Sequence, residues 1–171
     1  IFKKMVLKKM TKLLKNYESS ILSKVDGFMT ISEVDYNFFH ELYPTIPGVT
    51  IPFGLDIDNY EYEEEYLPSD KPELFHIGSM NWLPNREGIE WFLDEVWEQV
   101  LKVYPEVTFT IAGRDMPDEF RARASENLKI LGEVEDAKRF MLSKDIMIVP
   151  ILSGSGVRIK IIEGMALGKT I

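Results

Sequence analysis

The chain has 171 residues, 45% hydrophobic and 28% charged, with a net charge of −8. That length builds one domain with a full core, or one domain and part of another. The absence of Cys removes disulfide and thiolate chemistry and fits a reducing compartment, read as the cytoplasm; no apolar run is long enough to span a bilayer, and the acidic excess argues against general nucleic-acid binding.

The chain begins at Ile1 without an initiator Met and stops at Ile171 in what reads as the opening of a strand, so a piece of a longer protein is expected. Residues 1–24 read as a helix. Phe2, Val6, Met10, Leu13 and Tyr17 keep the helical period, with lysines opposite. The lysines are read as its solvated face; a peripheral contact with an anionic membrane, the inner membrane of a cytoplasmic protein, is the alternative. Gly27 to Ile31 reads as a short strand. Ser32, with Asp35 three residues on, caps a helix to about Tyr43. Val49 to Pro52 is a short extended piece, and Pro52 disfavours a central strand position. The acidic run Glu61-Tyr62-Glu63-Glu64-Glu65 marks a solvated linker over residues 58–72, which separates residues 1–57 from residues 73–171.

Beyond residue 73 the rhythm changes. Leu74 to Ile77 reads as a strand ending at Gly78. A helix from Asn85 to Tyr104 follows, with Asn85 as N-cap and Ile89, Phe92, Leu93, Val96, Trp97, Val100, Leu101 and Tyr104 as its apolar stripe. Further strands are expected over Val107–Ala112, Leu128–Leu131 and 146–152, with helices over Asp118–Ala124, Asp136–Leu142 and Val157–Leu167. Gly168 suits the position after the last helix. Strands alternating with helices predict an α/β fold with a parallel sheet covered on both faces. Ligands bind such sheets beyond the carboxyl ends of the strands, where strand order reverses.

The most informative stretch is Ser153-Gly154-Ser155-Gly156-Val157-Arg158-Ile159-Lys160-Ile161-Ile162-Glu163. Two glycines one residue apart let the backbone approach a ligand closely. The helix behind them offers N–H groups and a partial positive charge to a phosphate. Arg158 and Lys160 oppose that dipole, which points to an anion between them, and Glu163 shares a face with Lys160. A plain connector with a surface Lys160–Glu163 pair, worth ~0.2–0.5 kcal/mol, fits the same residues. Asn81 and Asn85 lie in the loop after Gly78, where a doubly wound fold also offers N–H groups to phosphate; the alternative is that Asn85 only caps and Asn81 only turns.

Two nucleotide motifs fail. Gly168-Lys169-Thr170 resembles the end of a P-loop, but Glu163 stands where that loop needs Gly, and a helix closes rather than opens there. Gly154-Ser155-Gly156 starts like a dinucleotide fingerprint, but Ile159 replaces its third Gly. Neither His40 nor His76 has a metal-like partner spacing, and no metal or cofactor is expected. His76 reads as a packed core residue; Asp115 and Asp118 read as turn residues.

Residues 73–171 resemble the donor-binding half of group 1 glycosyltransferases, the retaining family with the two-domain GT-B fold. The resemblance rests on Gly78-Ser79-Met80-Asn81-Trp82-Leu83-Pro84-Asn85, on Phe109 to Gly113, on Leu131-Gly132-Glu133-Val134, and above all on Gly154 to Lys169. Tyr17-Glu18, Val25 to Ser32 and Ile51 to Asp56 are similar to the end of the family's acceptor-side domain. The resemblance implies a truncated GT-B, Rossmann-like doubly wound sheet, with residues 1–57 from the acceptor-side domain and residues 73–171 as an incomplete donor domain. It implies a nucleotide diphosphate sugar as donor substrate and a glycan or lipid-linked acceptor, in polysaccharide assembly.

It also implies roles. Glu163 would hold the ribose, Lys160 the diphosphate and with it the catalytic charge, joined by Arg158. The Gly154, Ser155 and Gly156 amides would complete the anion cradle, Val134 would meet the base, and Gly78, Asn81 and Asn85 would line the first loop. The chain departs from the family where Ser155 replaces a common glutamate, where the first loop lacks its usual Arg and Lys, and where Gly164 replaces a common Ala. On this reading the chain binds nucleotide without turnover. The alternatives are a non-catalytic nucleotide-sugar-binding or scaffold domain, or another GT-B enzyme such as a nucleotide-sugar epimerase. A homodimer of the piece is a further alternative.

Overall fold

The computed structural model describes residues 2–60, 71–154 and 156–171. The chain divides into two compact units, Ile1–Gly54 and Leu55–Ile171. Residues 61–70, most of the expected linker, lie outside the described residues, as does Ser155.

The first unit is small. Helix α1 (Phe2–Ile21) runs into a 3-10 turn at Leu22–Lys24, followed by strand β1 (Phe28–Thr30), helix α2 (Glu33–Leu42) and strand β2 (Gly48–Thr50). As expected, the Ser32 hydroxyl caps α2 by accepting from the Asp35 N–H. β1 and β2 pair in parallel across α2. Phe28 lies so close over Gly48 that a Cβ there would meet its ring at 2.3 Å. Phe28 packs on Phe39 and Tyr36, and Tyr36 stacks on His40. Along α1, Val6, Met10, Leu13 and Tyr17 are exposed rather than buried. No helix among the described residues is long and apolar enough to cross a membrane.

The second unit is built on four parallel strands: β3 (Glu73–Ile77), β4 (Thr108–Ala112), β5 (Leu128–Gly132) and β6 (Ile146–Met147). Their order is β5-β4-β3-β6. The chain steps outward from β3 to β4 and β5, then returns to the other side of β3. The reversal of strand order therefore falls between β3 and β6. Side-chain alternation sends each strand's residues to two faces. Leu74, Phe109 and Ile111 join Ile89, Phe92 and Trp97 in the larger core, whereas Phe75 joins Met141, Met147 and Leu167 in a second. A sheet with a core on each face is the doubly wound arrangement the alternation predicts.

The long helix differs from expectation at both ends and in the middle. It starts two residues early, as α3 (Leu83–Trp91), and Trp82 rather than Asn85 is the N-cap. Pro84 sits in the first turn, where its fixed φ suits the helix and its missing N–H costs nothing. A π turn spans Phe92–Val96 before helix α4 (Trp97–Val103). Tyr104 leaves the helix as its C-cap and is exposed, so it does not extend the buried stripe.

The strand expected over residues 146–152 is ordered as β6 for two residues only. The Ile148 N–H still donates to the Phe75 carbonyl at 2.7 Å. The Ile148 carbonyl then takes the His76 Nδ1–H at 2.8 Å, and Pro150 has no N–H, so the ladder ends. Helices α5 (Asp118–Arg121), α6 (Ala137–Leu142) and α7 (Ile159–Ala166) complete the unit. α7 closes in a Schellman motif: Gly168, at φ +66°, donates to the Met165 carbonyl, and Lys169 donates to that of Gly164.

Candidate functional site

Two loops meet at the strand-order reversal: the one leaving β3 at Gly78, and the one between β6 and α7. Gly78 leaves room for two polar side chains that a larger residue would displace. A Cβ at that position would lie 2.6 Å from Asn85 Nδ2 and 2.7 Å from Lys160 Nζ. Asn85 is buried in the first turn of α3. Its Nδ2 donates to the Ser79 carbonyl at 2.9 Å, and its Oδ1 accepts from Lys160 Nζ at 2.7 Å. Asn85 thus holds Lys160 and is not the cap of α3.

Lys160 pays for its position in acidity. Burial, with the Arg158 charge second, lowers its pKa to about 8. Below it lies His76, fully buried, whose Nδ1–H is spent on Ile148 and whose Nε2 has no partner among the described residues. Burial first, then the nearby Lys160 charge, lowers the His76 pKa to about 3. His76 is therefore neutral at physiological pH, a core residue as its strand position suggested, with the ammonium as the local charge. No carboxylate pairs with Lys160 among the described residues. In particular the surface Lys160–Glu163 pair does not form: Lys160 turns to Asn85, while Glu163 Oε1 accepts from the Tyr60 hydroxyl at 3.4 Å.

The N-terminus of α7 adds to the positive character. Arg158 is its N-cap, outside the helix proper, and among the described residues no side chain caps the first N–H groups. Gly154 and Gly156 both have left-handed φ, +95° and +87°, which glycine adopts without strain. The Arg158 guanidinium stacks on Trp82, 4.8 Å from the ring centroid, and a Cβ on Gly154 would meet its Nη2 at 2.8 Å. Asn81 is exposed and accepts from the Ser79 hydroxyl at 3.1 Å, which also reaches Asp115 at 3.1 Å. Asp115 adopts φ +56°, the turn role expected of it.

Two clefts open beside these loops. The larger, about 790 Å³, is lined by Tyr60, Asp136, Lys138, Arg139 and Glu163. The smaller, about 240 Å³, is lined by Gly78, Ser79, Gly113, Glu133 and Val134. Ala137 lines both. Of the sequence-predicted residues, eight fall into three groups: Gly78, Asn85 and Lys160 in direct contact; Gly154, Gly156 and Arg158 at the α7 entrance; and Val134 and Glu163 in clefts that share Ala137; Asn81 stands outside them, and Ser155 is not among the described residues. Sequence reasoning missed Tyr60, which lies beside an acidic run and carries no motif. Among the described residues, no three His, Asp or Glu side chains gather as a metal would require.

A parallel sheet covered on both faces, with a cationic niche and glycine loops at its reversal point, is the doubly wound arrangement from which each half of a GT-B fold is built. A model of the family described as glycosyl transferases group 1 matches residues 71–171, and the chain belongs to that family. Solved structures agree on the fold. TarM is similar at TM-score 0.69 and 18% identity over 91% of this chain and 30% of its own. WaaG, a glycosyltransferase involved in lipopolysaccharide biosynthesis, is similar at TM-score 0.60 and 18% identity, over 82% and 42%. Anabaena HepE in complex with UDP gives TM-score 0.59 and 18% identity, over 85% and 43%. The chain thus spans less than half the length of each. A comparison with curated proteins finds no match.

Proposed function

We propose that this chain carries the donor-nucleotide site of a retaining glycosyltransferase, one that moves a sugar from a nucleoside diphosphate to a glycan or lipid-linked acceptor in polysaccharide assembly. Residues 73–171 act as the donor domain, residues 1–57 as the end of the acceptor-side domain, and residues 58–72 as the linker. The observation that carries this reading is the Lys160 ammonium, held by Asn85 over the bare Gly78 backbone with no carboxylate partner among the described residues. A half-buried cation with no carboxylate partner among the described residues, beside a helix N-terminus, is suited to an anion.

In this reading Lys160 and the α7 N–H groups hold the diphosphate, with Arg158 and the Gly154–Gly156 backbone at its rim. Glu163 accepts from the ribose hydroxyls, and the Val134 backbone meets the base. Charge that develops on the departing diphosphate is then met by donors already in place, which is how such sites lower a barrier. Relatives of the same fold carry matching ligands: a S. aureus TarM variant was crystallised with UDP, and HepE with UDP-glucose. The 171 residues are expected to bind nucleotide and not to transfer sugar, because aligning donor and acceptor needs both walls of the cleft.

Titration with UDP, GDP and CMP, followed by NMR shifts and thermal stabilisation, tests the site. One nucleotide should bind the wild type, and Glu163→Ala and Lys160→Met should each weaken it at least about tenfold, the loss of a charged hydrogen bond. Equal binding by all three proteins would remove both residues from the site.

A further inference from the structure

Tyr60 and Glu163 are 103 residues apart in sequence and share one cleft. The Tyr60 ring is anchored against the second core, beside Phe75, Met141, Met147 and Leu167. Lys138 Nζ stands 5.7 Å from the ring centroid, within cation–π range. A ring fixed in this way aims its hydroxyl at Glu163 Oε1, 3.4 Å away. That is long for a hydroxyl–carboxylate bond, so both groups keep capacity for a ligand's oxygens.

We propose that Tyr60 is a specificity-determining residue of the nucleoside subsite, its hydroxyl and the Glu163 carboxylate together reading the vicinal diol of a ribonucleoside diphosphate. The inference rests on the assignment of Glu163 to the ribose made above. A carboxylate only accepts, whereas a phenol both donates and accepts. A ribose diol offers two O–H donors and two oxygens that can accept. Glu163 alone can take the donors and leaves the ribose oxygens unmatched; Tyr60 supplies the missing donor within the same cleft. A phenol is protonated through neutral pH, and burial, then the charge and hydrogen bond of Glu163, hold that of Tyr60 further above its ordinary pKa. A sugar lacking one hydroxyl leaves a polar group of this pair unmatched, and sites built to bond a hydroxyl reject analogues that lack it.

The test uses the 171-residue chain and the tighter-binding of UDP and GDP, with its 2′-deoxy and 3′-deoxy counterparts. Affinities are measured by calorimetry for the wild type, Tyr60→Phe and Glu163→Gln. The wild type should prefer the ribonucleotide over at least one deoxy form by about tenfold. Tyr60→Phe keeps the ring and its packing, and should lose about three- to tenfold of ribonucleotide affinity while binding that deoxy form as the wild type does. An unchanged preference in Tyr60→Phe, or an equal loss for ribo and deoxy forms, would overturn the role of Tyr60 and leave Glu163 in place. Absence of nucleotide binding by the wild type, or unchanged binding by Glu163→Gln, would remove the ribose site itself and the proposal with it.

Discussion

Lys160 has an ordinary pKa of 10.5, and in the folded chain burial and then Arg158 bring it to about 8. Between those two values the unfolded chain holds a proton that the folded chain has released, so stability rises with pH across that window. Below about 8 the folded protein bears the cost of a half-buried charge. In the proposed function a bound diphosphate would offset that cost, and linkage then fixes the sign of the pH effect on binding. Nucleotide binding should draw a proton onto Lys160 at alkaline pH, and affinity should fall from pH 7 to pH 9 by up to about tenfold. Calorimetry in buffers of different ionisation enthalpy reads both the affinity and the proton. Asn85→Asp supplies the control. It keeps the length of the side chain and puts a carboxylate at the 2.7 Å contact, which raises the lysine pKa and neutralises the niche, while giving up the bond to the Ser79 carbonyl. That variant should keep the fold at reduced stability, because the Ser79 carbonyl loses its donor, bind nucleotide at least about tenfold more weakly, and lose the alkaline dependence. Wild-type affinity that stays constant to pH 9 would take Lys160 out of the anion site.

At the scale of the element, the contact of α3 with the chain after β6 decides where the two loops meet. Gly88 lies within α3, where glycine costs about 1 kcal/mol relative to alanine by propensity alone. Close approach accounts for it: a Cβ at Gly88 would stand 1.9 Å from the Pro150 carbonyl oxygen. Gly88→Ala therefore gains helix propensity and still destabilises, by about 1–3 kcal/mol, because the backbone of 150 must move. Gly54→Ala, with nothing within 4 Å of its added methyl, is the neutral comparison. Urea denaturation of both variants checks the pair, and equal midpoints would mean that α3 can slide away at little cost. Gly164 is similar: a Cβ there would press on Met147 Sδ at 2.9 Å, so Met147 is the neighbour that this chain's departure from Ala accommodates. Periodicity made α3, α4 and the strands legible, because apolar timing is a local property. The π turn at Phe92–Val96 was not legible, since one inserted residue barely disturbs a stripe that is already broad. The short β6 was hidden for another reason: Ile148 and Val149 look like strand residues, and although Pro150 signals an end to the ladder, only the distant His76 shows that the Ile148 carbonyl has already left it.

Across the whole molecule, the candidate site was legible where its parts are contiguous in sequence and opaque where they converge from afar. Gly154, Gly156, Lys160 and Glu163 announce themselves within ten residues, whereas the Asn85–Lys160 and Tyr60–Glu163 contacts join segments 75 and 103 residues apart. Such contacts depend on the sheet's strand order, which no local pattern encodes. The same unevenness governs stability. In the unit Leu55–Ile171, two hydrophobic clusters fill both faces of the sheet. In the unit Ile1–Gly54, the buried side chains are those of Leu22 and Thr30 alone among the described residues. Burying one leucine returns about 1.5–3 kcal/mol, far less than the entropy of ordering some fifty residues. Residues 55–171 expressed alone should therefore unfold cooperatively, with a Tm close to that of the 171-residue chain and with dispersed amide resonances. Residues 1–54 alone should show neither, and should give only the partial helical signal of an isolated α1. If the shorter piece instead melted cooperatively, or residues 55–171 lost their resonance dispersion, the cores described here would not be what holds the fold.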